Sequence, residues 1–304
     1  AFFNEQQREA TREAGELAGL EVVRIINEPT AASLTYNPNP EQLQRLLIYD
    51  LGGGTFDVSI VQTEQGVVEV LSSHGDTQLG GDDFDQLLMD FVCDKFQEEH
   101  KLDLRAALTS KSRVLKAVEQ AKCRLSFDAF TALQEEFIAE KRGMPVHLKM
   151  ELSRIDYEPL IEPLLNKTLV CVDEALSDAK LTAKQIDRVI LVGGASRTPM
   201  VHRLLQEQLG QPIHSEVDPD LCVSMGAAIQ GGLIAGVDLG PVLVDITPHT
   251  LGIQCLSERQ GFLSHYQFAP IIDRNTALPA SRSEVFGTCY DNQEKVLISV
   301  FQGE

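Results

Sequence analysis

The commonest nucleotide signatures are missing from this sequence. Neither GxxxxGK[ST] nor GxGxxG occurs in its 304 residues, which sets aside P-loop and Rossmann dinucleotide folds. None of the seven histidines stands in HExxH or at metal-ligand spacing, and there is no Gly-x-Ser-x-Gly elbow. Zinc hydrolysis and serine triads therefore have little support. The six cysteines lie 30 or more residues apart with no CxxC pair, so neither a zinc site nor a disulfide framework is indicated. That usage fits a reducing, cytoplasmic compartment. No apolar run approaches the roughly 18 residues that a bilayer span needs. Positive charge is scarce as well. With 26 Lys and Arg against 45 Asp and Glu the formal net charge is −19, which disfavours partners such as nucleic acid or an anionic membrane surface.

What is present is ordinary globular composition, 43% hydrophobic and 23% charged, long enough for two domains. The chain opens Ala1-Phe2-Phe3 with neither an initiator Met nor a signal-peptide layout. It closes just after strand-like residues 296–300, so it reads as a fragment. Periodicity predicts a helix over residues 5–18 stopped by Gly19 and a short buried strand over 22–26, with Glu28 of Asn27-Glu28-Pro29-Thr30 at the strand's end, followed by a small-residue helix to about Tyr36. Asn37-Pro38-Asn39-Pro40 is a break. Residues 46–49 and 56–61 read as two strands joined by a glycine turn, with a third over 66–72. Helices are expected over 83–101, 110–125 and 156–179, with a mixed stretch over 127–152 that ends strand-like at 146–152. Thr182-Ala-Lys-Gln185 has capping-box spacing. A buried strand covers 189–192, and a last helix starts at Asp218-Pro219-Asp220, with Asp218 as N-cap and Pro219 at the first position. Beyond 246 only strand and turn signals occur, so an α/β part is followed by an all-β part, with the boundary near 238–246.

The strongest single motif is Asp50-Leu-Gly52-Gly53-Gly54-Thr55. Three consecutive glycines expose backbone N–H groups that can wrap a phosphate, and Thr55 adds a hydroxyl. Asp50 at its mouth can bind a hydrated divalent ion or orient an attacking water. The same glycines also serve in a hairpin that merely turns the chain. Gly193-Gly194-Ala-Ser196-Arg197 follows a strand, at the sheet end where α/β proteins bind ligands; its glycines admit a flat base, and Arg197 can stack on it. An ordinary turn with an exposed arginine fits as well. Gly80 and Gly81 precede a helix and form a third glycine pair. Glu119, Lys122 and Ser126 share one helical face, as ribose contacts or as a solvated ion-pair stripe. The helix dipole alone accounts for an acidic residue at Asp220. Glu28, fixed by Pro29, is a second candidate carboxylate or a surface turn residue.

Taken together, Asn27-Glu28-Pro29-Thr30-Ala31-Ala32, Asp50-Leu-Gly-Gly-Gly-Thr55-Phe56-Asp57, Leu79-Gly-Gly-Asp-Asp-Phe-Asp85 and Val192-Gly-Gly-Ala-Ser-Arg-Thr-Pro199 resemble the Hsp70 (DnaK-type) chaperone family over essentially the whole chain. The resemblance implies an actin-like (ribonuclease H-like) two-lobed α/β ATPase. Residues 1–237 would be a partial nucleotide-binding domain lacking its N-terminal segment, 238–245 a linker, and 246–304 the start of a peptide-binding β-sandwich. It implies ATP or ADP with Mg2+, and K+ as an additional ion. Asp50, Glu28 and Thr55 would be catalytic, with Asp50 and, through water, Glu28 at the metal. Gly52, Gly53, Gly54, Thr55, Gly80, Gly81, Glu119, Lys122, Ser126, Gly193, Gly194, Ser196, Arg197 and Asp220 would bind nucleotide, while Cys123 stands where many members carry arginine. Arg8 would relay nucleotide state to the peptide-binding domain, and Val242, Leu243, Val244 and Asp245 would be the interdomain linker, with Pro241 a departure at its start. Leu256, Phe286, Cys289, Gln293 and Val296 would line a groove for hydrophobic segments of unfolded proteins; Cys255 and Cys289 also depart from the residues usual at their positions.

Implied partners are such segments, a J-domain co-chaperone and a nucleotide-exchange factor, with a place in protein folding and the stress response. On the same resemblance the fragment, without the family's first phosphate loop and catalytic lysine, hydrolyses ATP poorly. A small-molecule kinase of the same fold, a filament-forming relative and a pseudo-ATPase are the alternatives; the apolar linker and strand-rich tail argue for the chaperone.

Overall fold

The computed structural model describes residues 3–36, 42–210, 213, 218–237, 242–259 and 262–303. The Asn37-Pro38-Asn39-Pro40 break and Pro241 lie outside the described residues.

The run Leu46-Leu47-Ile48-Tyr49 is apolar on both faces, as a strand covered on both sides must be. It forms the middle of β1 (Gln44–Leu51), which pairs antiparallel with β2 (Phe56–Glu64), and β2 with β3 (Val67–Asp76). β6 (Arg188–Val192) lies parallel to β1, and β7 (Val242–Val244) lies parallel to β3, giving a mixed sheet in the order β6-β1-β2-β3-β7. Successive residues of β1 serve different cores. Leu47, Tyr49 and Leu51 pack with Phe84, Leu88 and Val172 under α3 (Gly81–His100), α4 (Leu108–Leu125) and α5 (Arg154–Asp178). Leu46 and Ile48 point the other way, into a smaller core with Ala32, Leu34 and Cys222 of α2 (Glu28–Thr35) and α7 (Cys222–Ile234). Tyr49, buried, donates its hydroxyl to Thr168 Oγ1 at 2.6 Å, so its polar end is satisfied inside the larger core.

Helix α2 crosses α7 closely enough that a Cβ on Gly226 would fall on the Ala31 carbonyl. Only glycine fits that crossing. β4 (Phe130–Lys141) and β5 (Met144–Ser153) form a hairpin against α4, and α6 (Pro199–Leu209) follows the turn after β6. Beyond β7, the strands β8 (Leu251–Arg259) and β9 (Phe262–Ile272) pair antiparallel, and β10 (Val300–Gln302) joins the free edge of β8.

Several expectations need correction. Residues 21–27 carry no strand: a β-prone pentapeptide needs a ladder partner, and no described strand pairs with it. Glu28 therefore opens α2 rather than ending a strand. Helix α1 (Glu5–Leu17) stands where expected, capped by Asn4, whose side chain accepts from Gln7 N–H; yet none of its residues is buried, so its apolar face is uncovered among the described residues. Helix α7 starts at Cys222, not at Asp218; Asp218-Pro219-Asp220 is a turn whose Asp218 carbonyl accepts from the N–H groups of Leu221 and Cys222. The strand-like 296–300 becomes strand only from Val300, because β8 offers a partner only at Leu251–Ile253. The tail is a single three-stranded sheet among the described residues rather than two facing sheets, and residues 280–299 hold no strand.

Candidate functional site

The β1–β2 turn sits at the carboxyl end of β1, beside the carboxyl end of the parallel strand β6, where an α/β sheet opens to ligands. Gly52 N–H donates back to the Thr55 carbonyl at 3.1 Å, closing the turn. The first two N–H groups of α3 then hold it from outside. Gly81 N–H donates to the Gly52 carbonyl at 2.9 Å and Asp82 N–H to the Gly53 carbonyl at 2.7 Å. With those carbonyls engaged, the N–H groups of Gly53, Gly54 and Thr55 have no acceptor among the described residues. Adjacent outward N–H groups of this kind form an anion-binding concavity. Gly80 is required for this contact, since a Cβ there would strike the Gly53 carbonyl.

A cleft of about 370 Å³ opens over the turn, and Glu28, Asp50, Gly52, Gly53, Thr55, Gly193 and Asp220 of the expected residues all line it. Val192, Pro219 and Val223 line it too; these apolar positions carried no chemical signal in the sequence. Asp50 is only 7% exposed, and burial, with the negative charges of Glu28 and Asp57 nearby, pushes its carboxyl up to about 7. Asp57 was not anticipated as a site residue. It sits directly across the ladder from Asp50, is 2% exposed, and is pushed up to about 6 by burial, with Glu28 adding to it. The negative charges of Glu28 and Asp57 beside Asp50 give the mouth of the cleft an acidic character. Among the described residues no group of three acidic, histidine or cysteine side chains is arranged to hold a metal by itself. The donor set fits Mg2+, which keeps most of its waters and uses one or two carboxylates together with phosphate oxygens.

Across the cleft, Gly193 adopts φ +82°, and a Cβ there would strike the Leu51 carbonyl and lie 3.0 Å from Asp50 Oδ1. Ser196 is fully buried and donates to the Gly193 carbonyl at 2.6 Å, so its hydroxyl shapes the turn instead of facing a ligand. Arg197 donates to Asp218 Oδ1 at 3.0 Å and Asp220 Oδ2 at 2.7 Å, which holds the guanidinium above its ordinary pKa, Asp220 contributing most. Asp220 is thus a partner of Arg197 rather than a helix-dipole residue. Gly54, Gly80, Gly81, Glu119, Lys122, Ser126, Gly194, Ser196 and Arg197 do not line this cleft. Lys122 does not pair with Glu119; its ammonium donates to Asp85 Oδ2 and to the Gly81 carbonyl. Ser126 caps the end of α4, and its hydroxyl approaches the Lys122 carbonyl at 3.5 Å.

Two of the expected relay and linker residues, Arg8 and Asp245, meet at Asn27. Arg8 Nη1 donates to Asn27 Oδ1 at 2.5 Å, and Asn27 Nδ2 donates to Asp245 Oδ2 at 3.2 Å. Thr30 reaches the same carboxylate at 3.4 Å, and burial pushes Asp245 above the usual carboxylate range. Val242, Leu243 and Val244 lie on the sheet edge opposite Val67, Val68 and Glu69. A second seam joins the tail to the body, where Asp178 accepts from His74 Nε2 at 2.8 Å and Asn275 Nδ2 at 3.0 Å and pairs with Arg274. Of the residues expected to line a groove, Leu256 lies in β8, whereas Phe286, Cys289, Gln293 and Val296 lie in the strand-free segment, where Cys289 N–H donates to Gln293 Oε1. A cavity of about 330 Å³ on the tail sheet is lined by Gln254, Tyr266, Phe268 and Phe301 and by none of those five.

No helix among the described residues is long and apolar enough to cross a membrane. A family model described as Hsp70 protein matches residues 1–304.

Proposed function

The chain belongs to the Hsp70 family of chaperone ATPases, and from that premise we propose that its cleft binds Mg-ATP and that hydrolysis there controls the hold of the tail on hydrophobic segments of unfolded proteins. One observation carries the reading: outward N–H groups of a glycine turn stand beside the buried Asp50, at the mouth of one cleft with Glu28 and Asp220. Nothing in that arrangement favours a small-molecule kinase.

The N–H groups of Gly53, Gly54 and Thr55 would donate to the phosphate oxygens, and Asp50 with Glu28 would hold a hydrated Mg2+, which would supply charge neutralisation on the phosphates. Phosphoryl transfer needs mostly positioning and charge stabilisation, and these residues supply both. Asp50, buried at the mouth of the cleft beside the turn, is placed to orient a water toward the phosphate. Arg197, steadied by Asp218 and Asp220, offers its face to the adenine. Coupling runs through α2, where Glu28 lines the cleft and the preceding residue, Asn27, holds the linker's Asp245. The pairing of Val242–Val244 with β3 supports a docked linker that responds to nucleotide.

Calorimetric titration with Mg-ADP tests the site. Binding that weakens about tenfold in Arg197→Ala is expected from loss of a stacked guanidinium; equal affinity in the two proteins overturns the assignment of Arg197. For the linker, replacing Val242, Leu243 and Val244 with Asp should abolish ATP-triggered peptide release while basal hydrolysis continues. Unchanged release refutes the coupling.

A further inference from the structure

The seam at Asp178, away from the nucleotide cleft, gathers more donors than one carboxylate oxygen can hold. His74 on β3 and Glu174 and Asp178 on α5 come from the body, and Arg274 and Asn275 come from the tail just beyond β9. The His74 side chain is 11% exposed, with Nε2 2.8 Å from Asp178 Oδ2 and Nδ1 3.3 Å from Glu174 Oε2. Glu174 and Asp178 are one helical turn apart, so both face the same ring. Asn275 Nδ2 donates to that Asp178 Oδ2 at 3.0 Å, and Arg274 Nη2 lies 3.1 Å from it and 3.4 Å from Oδ1. A carboxylate oxygen offers about two lone-pair sites, and three donors crowd this one. Burial pushes the Asp178 carboxyl up, but His74, Arg274 and Asn275 outweigh it and hold the group below the usual carboxylate range, so it stays an anion near neutral pH.

The charge on the ring decides which donors that oxygen keeps. A neutral imidazole carries one N–H; with Nε2–H toward Asp178, the Nδ1 lone pair faces Glu174. A second proton turns the Glu174 contact into a bond, and the ring then bridges both acids of α5 by charge-assisted hydrogen bonds. The tail brings a cation, Arg274, to the same oxygen, together with the neutral Asn275; Asp273 beside them is exposed, where water screens it. The other groups around the ring belong to the body whether or not the tail is docked. On β3, Asp76 shares the His74 face and is partly exposed. On α5, Cys171 stays neutral, burial pushing its thiol up to about 11, and β2 places Val58 opposite the histidine. An imidazolium and a guanidinium sharing one oxygen repel, so the charged ring and the docked tail disfavour each other.

We propose that His74 is a proton-operated latch between body and tail, releasing Arg274 and Asn275 from Asp178 when its ring is charged and leaving them docked when it is neutral. Histidine is the side chain that ordinarily changes charge in the physiological pH range. The latch goes beyond the nucleotide reading of the cleft and does not depend on it.

The test is amide hydrogen exchange on the full chain without nucleotide, between about pH 5.5 and about pH 7.5, corrected for the intrinsic pH dependence of exchange. Ser73 N–H donates to Asn275 Oδ1 at 3.3 Å, so its protection reports the seam. In wild type that protection should fall about fivefold on acidification, the low end of ordinary coupling between sites. His74→Gln keeps a donor toward Asp178 but takes up no proton, and its protection should stay constant. A fall in His74→Gln equal to that of wild type overturns the proposal, as does wild-type protection that is constant or rises on acidification. A second measurement leaves His74 in place. Imidazole carbon resonances followed by NMR should show His74 charging at higher pH in Arg274→Gln than in wild type, because linkage is reciprocal. Equal midpoints in the two proteins overturn the latch even if His74→Gln fails to fold.

Discussion

The strands of the central sheet and those of the tail are written in similar apolar residues and end in opposite environments. Leu46, Leu47 and Ile48 are fully buried, because helices cover both faces of β1. In the tail strands Tyr266 of β9 is 74% and Val300 of β10 70% exposed, and no helix among the described residues covers β8 and β9. An apolar pattern therefore states a preference for a covering layer, and supplying that layer is a non-local matter.

The largest expected effect falls on the body side. Gly226→Ala must push a Cβ into the Ala31 carbonyl, so α2 and α7 must separate. A loss of about 3 kcal/mol or more in denaturant unfolding is expected, and a variant as stable as wild type would show that the crossing is loose. A middle-sized effect concerns pH. The folded-state pKa values of Asp50 and Asp57, about 7 and about 6, lie above the ordinary carboxylate value. Between pH 4 and 7 the folded state therefore holds protons that the unfolded chain has released. Stability is greatest below pH 4 for these groups and falls as pH rises through 7, by on the order of a few kcal/mol without Mg-nucleotide. Melting curves across that range should show the decline, and Asp50→Asn should flatten it; a rise in melting temperature with pH contradicts the assignment. The smallest effect is Gly287→Ala in the tail, where an added Cβ meets nothing. It should move stability by less than about 0.5 kcal/mol, and a loss like that of Gly226→Ala would mean that the tail is covered after all.

Local chemistry was legible wherever neighbours in sequence are neighbours in space. The β1–β2 hairpin, its glycine turn and the capped turn at Thr182 all stand where periodicity and cap spacing put them. β4 was blurred because Gln134, Glu135 and Glu136 interrupt its alternation on a half-exposed hairpin. The start of α7 was misread because Asp218-Pro219-Asp220 has cap composition, while Asp220 is engaged by Arg197. Asp85 shows the same limit from the other side. Its partner Lys122 lies 37 residues away, and nothing in either local sequence marks the pair. Asp57 was visible as a residue, but its burial opposite Asp50 depends on strand register.

The short parallel pairing of β7 with β3 has a cost on release. With Val242–Val244 withdrawn, the N–H and C=O groups of Val67, Val68 and Glu69 that face the linker become a bare sheet margin, open to any extended chain. Among the described residues the stretch is three residues long, and Glu69 places a charge at its end, so it is a poor template for stacking copies of the protein. A molecule that works among unfolded, aggregation-prone chains thus keeps its own adhesive edge brief and charged.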